Sequence, residues 1–266
     1  MAPTLNKPNP PRLLPYVLPP PFIGGLRANL AAAAKATGSA HYVVANAVLP
    51  EDVRALIAAM IKDHHGARAD IKAVRPDLPV GFSLSIADDQ ALGEGSIRYK
   101  MRAGLYRAWL EEARGDDFVA IQNYERILWG KDGKLPAPEG TPRNVRGAEV
   151  YAPPLAGAAR YAHEATGNPV LITEHGVGTD NDTVRVNLIR EGLRQLHKAM
   201  AEGLPVQGYI HWTLVDNYEW DAGIGHAAFG LATVDPVTFK RSQAQRRSSR
   251  RDRAGQLTIK REKTDA

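Results

Sequence analysis

Glu174 closes a run of four apolar or β-branched residues, Pro169-Val-Leu-Ile-Thr-Glu-His-Gly176, and stands just before a histidine and a glycine. A carboxylate delivered at the end of such a run can attack an electrophilic carbon or take a proton. Two other stretches end in groups that could meet it. One is Gln122-Asn123-Tyr124, and the other is Trp212-Thr-Leu-Val-Asp-Asn-Tyr-Glu219-Trp220. Saccharides offer hydroxyls at their edges and C–H groups on their faces, so carboxylates and amides can take the first while indoles stack on the second. A strand with aromatic packing and a polar turn after it has the same lettering, and these residues alone leave both readings open.

The elements that must position these residues follow from their pattern. Pro169–Glu174, opened by Pro and closed by Gly176, reads as a strand buried on both faces, as in a parallel sheet. Pro79–Ser85, Asp117–Tyr124 and Val206–Leu214 are the other strand candidates. Helical spacing occupies Pro50–Val74, Ser96–Ala113 and Leu155–Thr166, and a long helix capped by Asp182 or Thr183 runs through Met200. Residues 1–25 are Pro-rich, with Pro10-Pro11 and Pro19-Pro20-Pro21, which argues against helix through those stretches. The resulting β-α-β-α-β-α-β order calls for a parallel sheet with right-handed crossovers, either doubly wound or a barrel. Chemistry in such folds gathers at the carboxyl ends of the strands.

Composition narrows the function classes. Of 266 residues, 44% are hydrophobic and none is Cys, so disulfides and thiolate sites are excluded. No apolar run of about 18 residues spans a membrane, and the opening Met-Ala-Pro-Thr-Leu-Asn-Lys-Pro lacks the order of a signal peptide. A cytoplasmic location is therefore expected, with no membrane partner. The net charge of +5 belongs to the tail: residues 240–266 hold ten Lys or Arg against three Asp or Glu, leaving 24 against 26 in residues 1–239. Nucleic acid is thus not expected as a partner except through that tail. Gly176-Val-Gly178 lacks the third glycine of a nucleotide-binding loop. His64 and His65 are adjacent on a helix and point about 100° apart, a poor metal pair. No metal and no cofactor is expected.

Several motifs together resemble glycoside hydrolase family 1, the β-glucosidases and their relatives. Ile172-Thr-Glu-His-Gly176 is similar to its nucleophile motif Thr-Glu-Asn-Gly. His211–Trp220 resembles its Trp-Ser-Leu-Leu-Asp-Asn-Phe-Glu-Trp, and Ala228–Asp235 its Arg-Phe-Gly-Leu-Val-Tyr-Val-Asp. Asp117–Tyr124 is similar to Asp-Phe-Leu-Gly-Ile-Asn-Tyr-Tyr, and Thr4-Leu-Asn-Lys-Pro-Asn9 to the acid/base motif Thr-Phe-Asn-Glu-Pro-Asn. The resemblance implies a partial (β/α)8 TIM barrel, roughly its second half, from the end of strand 4 through strand 8. It implies a retaining O-glycosyl hydrolase acting on terminal β-D-glycosides, with a small saccharide or β-glucoside as substrate. Glu174 would be the nucleophile, steadied by Tyr124, and Asn6 would hold the sugar 2-hydroxyl with Gln122 near the reacting ring. Trp212 would floor the site, while Glu219 and Trp220 bind the outer hydroxyls in front of Phe229.

Three departures shape what is expected of this chain. The family's first three strands are missing, so outer strands lose a neighbour and interior side chains meet water; self-association of half-barrels and marginal stability are expected. Lys7 stands at the acid/base position, where an ammonium is a poor acid at neutral pH and offers no lone pair as a base. A retaining glycosidase needs two carboxyl groups about 5–5.5 Å apart, so activity is expected to be impaired, in the limit to an inactive fragment that binds carbohydrate weakly. Finally, residues 242–266 have the composition of a disordered basic tail beyond a glycosidase domain of residues 1–241. His175, in place of the family's Asn, is expected to perturb hydrogen bonding at the nucleophile.

Overall fold

The computed structural model describes residues 1–17, 25–40, 42–43, 48–219, 223–224, 227–235 and 237–243. Strand β1 (Ala2–Asn6) is followed by helices α1 (Pro10–Val17), α2 (Leu26–Thr37) and α3 (Val53–Val74). Then come β2 (Val80–Ser85), β3 (Asp88–Ala91), α4 (Arg98–Ala113), β4 (Phe118–Asn123) and β5 (Arg126–Trp129). Helix α5 (Pro154–Thr166), β6 (Val170–His175), α6 (Asp182–Ala201) and β7 (Val206–Tyr209) complete the main layers. Short pairings β8–β9 (Tyr218–Glu219 with Gly223–Ile224) and β10–β11 (Ala232–Val234 with Arg241–Gln243) follow.

The main sheet runs β1-β2-β4-β6-β7 with every pairing parallel. Its strands lie in chain order, each joined to the next by helical crossovers. A doubly wound sheet would reverse direction at a switch point; this one does not, and the fold is a partial (β/α)8 barrel. The core lies between the sheet's outer face and the helices. Phe82, Leu84, Val119, Ile121, Val170 and Ile172 meet Leu105, Trp109, Leu155, Ala159 and Leu196 there. Helix α5 stops at Gly167, whose φ of 78° is cheap only for glycine, and the chain turns directly into β6.

Several elements differ from the sequence expectation. Helix α1 begins on Pro10-Pro11 and contains Pro15. Prolines in a first turn lose only N–H groups that have no helical partner, so Pro10 and Pro11 fit where helix was discounted; Pro19–Pro21 lie outside the described residues. Asn181, not Asp182 or Thr183, caps α6 by accepting from the Thr183 backbone N–H at 3.0 Å. Strand β7 ends at Tyr209, five residues short of Leu214. The inner face of β6 is not sealed: Leu171 and Thr173 are half-buried because they look onto the open side of the barrel. Ser242 and Gln243, counted with the tail, pair in β11; residues 244–266 lie outside the described residues. The parallel pair β3–β5, which extends β2 and β4 beyond the sheet, had no sequence signal.

Two register slips matter most. Along β4–β6, Ile121 pairs Ile172 but Gln122 pairs Glu174, so Thr173 is an extra residue. Along β1–β2, Pro3 pairs Gly81 and Asn6 pairs Ser83, again with one residue too many on the first strand. Each bulge reverses the side on which the following residue emerges. Ile172, on the helix-facing side, is thereby followed two residues later by Glu174 on the inner side. Below the bulge in β1, Thr4 points outward, its Oγ1 2.6 Å from Nδ1 of buried His64 on α3, whose Nε2 lies 3.2 Å from Asp116. Above it, Asn6 and Lys7 reach the inner side.

Candidate active site

The carboxyl ends of β1, β4, β6 and β7 converge on Glu174. Its side chain is buried, and two groups meet on Oε2: the Tyr124 hydroxyl, which donates a hydrogen bond, and the Lys7 ammonium at 2.7 Å. Lys7 follows directly on β1. Its backbone adopts a φ of 51°, in the left-handed region that side chains other than glycine seldom occupy, and its N–H donates to the Ser83 carbonyl at 2.9 Å. That conformation sends the ammonium between two rings, 5.4 Å from the Tyr124 centroid and 5.6 Å from that of Trp212. Close approach of chains secures the floor: the Trp212 N–H donates to the His175 carbonyl at 3.0 Å, and a Cβ on Gly176 would sit 2.0 Å from the Trp212 carbonyl oxygen.

The other residues singled out from sequence fall into place around this pair. Gln122 is buried and donates from Nε2 to Asn6 Oδ1 at 2.6 Å and to Ser83 Oγ at 3.1 Å. Ser83 Oγ in turn lies 2.5 Å from Thr173 Oγ1 on the bulge. Trp212 donates from Nε1 to Glu219 Oε1 at 3.3 Å, which ties the floor to the outer carboxylate. Phe229 packs edge-on against Tyr124 with centroids 5.9 Å apart. Trp220 lies outside the described residues.

Burial and charge tune the titrating groups. Tyr124 is pushed well above the usual phenol range by burial and by the Glu174 carboxylate, so it stays a donor. His175 does not touch the Glu174 carboxylate, contrary to expectation. The next residue along the strand points to the opposite side, and its ring lies against α6, where a Cβ on Gly192 would come within 2.7 Å of Cε1. Its Nδ1 is 2.9 Å from the Tyr209 hydroxyl, and burial, with His211 nearby, lowers its pKa to about 3, so it is a neutral packing residue.

Sequence reasoning missed Arg146, from the loop between β5 and α5. Its guanidinium reaches Glu219 at 3.5 Å and lies 5.9 Å over the Phe229 ring. An arginine in a Pro- and Gly-containing loop has no periodicity to mark its destination. Also missed were the acids beside β3 and β5. Asp89 accepts from Trp129 Nε1 at 2.6 Å and lies 3.9 Å from Arg102, and burial raises its pKa to about 6. Burial likewise raises half-buried Glu125 to about 7, against the pull of Lys134 and Arg146. Among the described residues there is no group of three or more His, Cys, Asp or Glu that could hold a metal ion, and no helix is long and apolar enough to cross a membrane.

Comparison with known proteins identifies the scaffold. Residues 157–253 match the model of glycosyl hydrolase family 1. Over that portion the chain is similar to glycosyl hydrolase family 1. The solved structure of a beta-glucosidase, 1317, superposes on 91% of the chain with a TM-score of 0.82 and 31% identity. That of beta-glycosidase BGL167 does so over 91% with a TM-score of 0.78 and 39% identity. The galactolipid galactosyltransferase SFR2 of Arabidopsis thaliana is 37% identical over 123 residues, 45% of this chain. The chain spans 59% of each of those two solved proteins and 19% of the transferase. Its family 1 likeness therefore covers part of a larger fold, and within that part lie β6 with Glu174 and the Trp212–Glu219 segment.

Proposed function

We propose that the cleft is that of a retaining β-glycosidase of the β-glucosidase type, in which Glu174 attacks the anomeric carbon of a terminal β-D-glycoside to give a glycosyl-enzyme. The observation that carries this reading is the convergence on Glu174 Oε2 of a phenol donor and a cation, above an indole floor. Tyr124 fixes which way the carboxylate faces, which is positioning of the kind that raises effective concentration. Glu219, linked to Trp212 and Arg146, is placed to take outer hydroxyls of the sugar. The paired Asn6 and Gln122 amides lie beside Glu174 in the strand register and suit the hydroxyl next to the reacting carbon.

Lys7 fills the place of the acid/base carboxyl group, so turnover is limited by its absence. General acid–base help is worth about 10²–10⁴ in rate. A nitrophenyl β-glucoside, whose leaving group departs without a proton, should give a burst of one equivalent and then stall. Mass spectrometry should place the glycosyl adduct on the peptide holding Glu174, and Glu174→Gln should remove both adduct and burst. A burst that survives in Glu174→Gln would overturn the assignment. A second reading, sugar binding without turnover, draws on the same Lys7–Glu174 contact, since the ammonium occupies the attacking oxygen. Binding of glucose seen by calorimetry, with no adduct, would favour it.

A further inference from the structure

Arg146 reaches the cleft on a short hairpin, residues 142–150, that is tied down at both ends. The Val150 N–H donates to the Pro142 carbonyl at 2.8 Å, and the Asn144 N–H to that of Ala148 at 2.9 Å. At the tip, Asn144 Oδ1 accepts from the backbone N–H groups of Arg146 at 2.9 Å and Ala148 at 3.0 Å. Gly147, with a φ of 78°, completes the reversal. One leg is fastened to β5 by Glu149, which accepts two bonds from the Arg126 guanidinium at 2.8 and 2.7 Å. The tip is fastened to the loop after β6, where the Val145 N–H donates to the Gly178 carbonyl at 3.0 Å. A Cβ on Gly178 would lie 3.2 Å from Val145 Cγ2 and 3.0 Å from the Phe229 ring, so hairpin, loop and ring are in close contact.

From this anchored tip the guanidinium reaches Glu219 Oε2 at 3.5 Å, both side chains being largely withdrawn from solvent. The other carboxylate oxygen, Oε1, accepts from the Trp212 indole at 3.3 Å. A single bond of that length would leave the carboxylate free to turn about it. A second group at the other oxygen fixes its plane. The guanidinium also bears on the reacting end of the cleft. Burial and the carboxylates of Glu174 and Glu219 push Tyr124 well above the usual phenol range, and Arg146 pulls the other way. An acceptor already held in one orientation has less freedom to lose when a hydroxyl binds to it.

We infer that Arg146 is a positioning residue for sugar recognition: from its hairpin it fixes the plane of the Glu219 carboxylate, through which the cleft reads an outer hydroxyl of the glycone. This rests on the cleft binding a glycoside as proposed above. Arg146 acts on the sugar through Glu219, so its contribution exists only while that carboxylate is present.

The test is calorimetric binding of methyl β-D-glucoside to the full chain and to a cycle of variants. Arg146→Met should raise Kd at least fivefold. Arg146→Lys, which keeps the charge but not the planar fork, should recover part of the loss. Glu219→Ala should weaken binding at least as much as Arg146→Met. Adding Arg146→Met to Glu219→Ala should then cost less than a further twofold, whereas a role confined to holding the hairpin would cost as much in both backgrounds. Unchanged affinity in Arg146→Met, or the same loss with and without Glu219, overturns this proposal; an adduct on Glu174 in the same chain leaves the nucleophile assignment standing. Absence of binding to the unmodified chain also overturns it, and the adduct experiment then decides the nucleophile separately.

Discussion

Two carboxylates sit within neighbouring strand-end regions of this fold and are treated in opposite ways. Glu174 keeps a cation in contact, Lys7 at 2.7 Å. Asp89 is buried more deeply, and its close partner is the neutral Trp129 indole N–H, with Arg102 no nearer than 3.9 Å. At Asp89 desolvation wins, and the pKa rises to about 6. Burial is thus met in two ways, by an ammonium in contact at Glu174 and by an indole N–H at Asp89. The first arrangement belongs to the cleft, and the second to a packed joint between β3, β5 and α4.

The difference can be broken from the Glu174 side by Gly176→Ala. The new methyl would meet the Trp212 carbonyl at 2.0 Å, a backbone atom that cannot swing aside. We expect a loss of about 3 kcal/mol in denaturant unfolding and displacement of the indole floor, seen as a shift in tryptophan emission. The pH dependence contributed by Asp89 should survive. A fully stable variant would mean that the β6–Trp212 approach is looser than described.

Asp89→Asn sharpens the other side. An acid whose folded pKa is raised binds its proton in the native state over a range where the unfolded chain has released it. Stability therefore falls as pH rises from about 4 to about 6, and stays lower above that range. The cost is on the order of 2–3 kcal/mol, and the Asn variant should lack it, gaining stability relative to the parent at pH 8 but not at pH 4. Unfolding titrations at several pH values decide the matter; parallel profiles for the two proteins would contradict it. His175 acts in the reverse sense. Its lowered pKa means that stability is whole above about 6.5 and is lost as pH falls toward about 3.

The smallest effect is expected from Lys7→Met, which makes the cleft carboxylate resemble Asp89. Because the lysine side chain is partly exposed, the loss at pH 7 should be about 1–2 kcal/mol rather than the full cost of a buried orphan charge. Lys7→Arg, which keeps the charge, should recover most of it. A loss that Lys7→Arg does not reduce would place its cause in packing against Tyr124 and Trp212.

The sequence exposed what short-range physics controls. Glu174 at the end of an apolar run, Tyr124 at the end of another, and helices α3 to α6 all follow from pattern and punctuation. The family motifs singled out Trp212, Glu219 and Phe229, and the structure brings those side chains together. What stayed hidden depends on contacts distant in the chain. The two bulges are register events between strands, and nothing in the letters around Thr173 or Leu5 marks an extra residue. His175 faces away from the Glu174 side chain for a simpler reason, that one step along a strand reverses the face. Arg146 arrives from a loop, and the β3–β5 pairing depends on two polar segments meeting beyond the main sheet.

The contact between Thr4 and His64 lies at the middle of β1 on the side away from the cleft, and Lys7 is only three positions further on. Among the described residues β1 has one sheet neighbour, β2, so nothing on its other side resists sliding. The imidazole thus works as a mooring: it stops the first strand from creeping along the second. Were that line cast off, the ammonium would drift as a body with its strand, and the electrostatic character of the cleft would change without any substitution inside it.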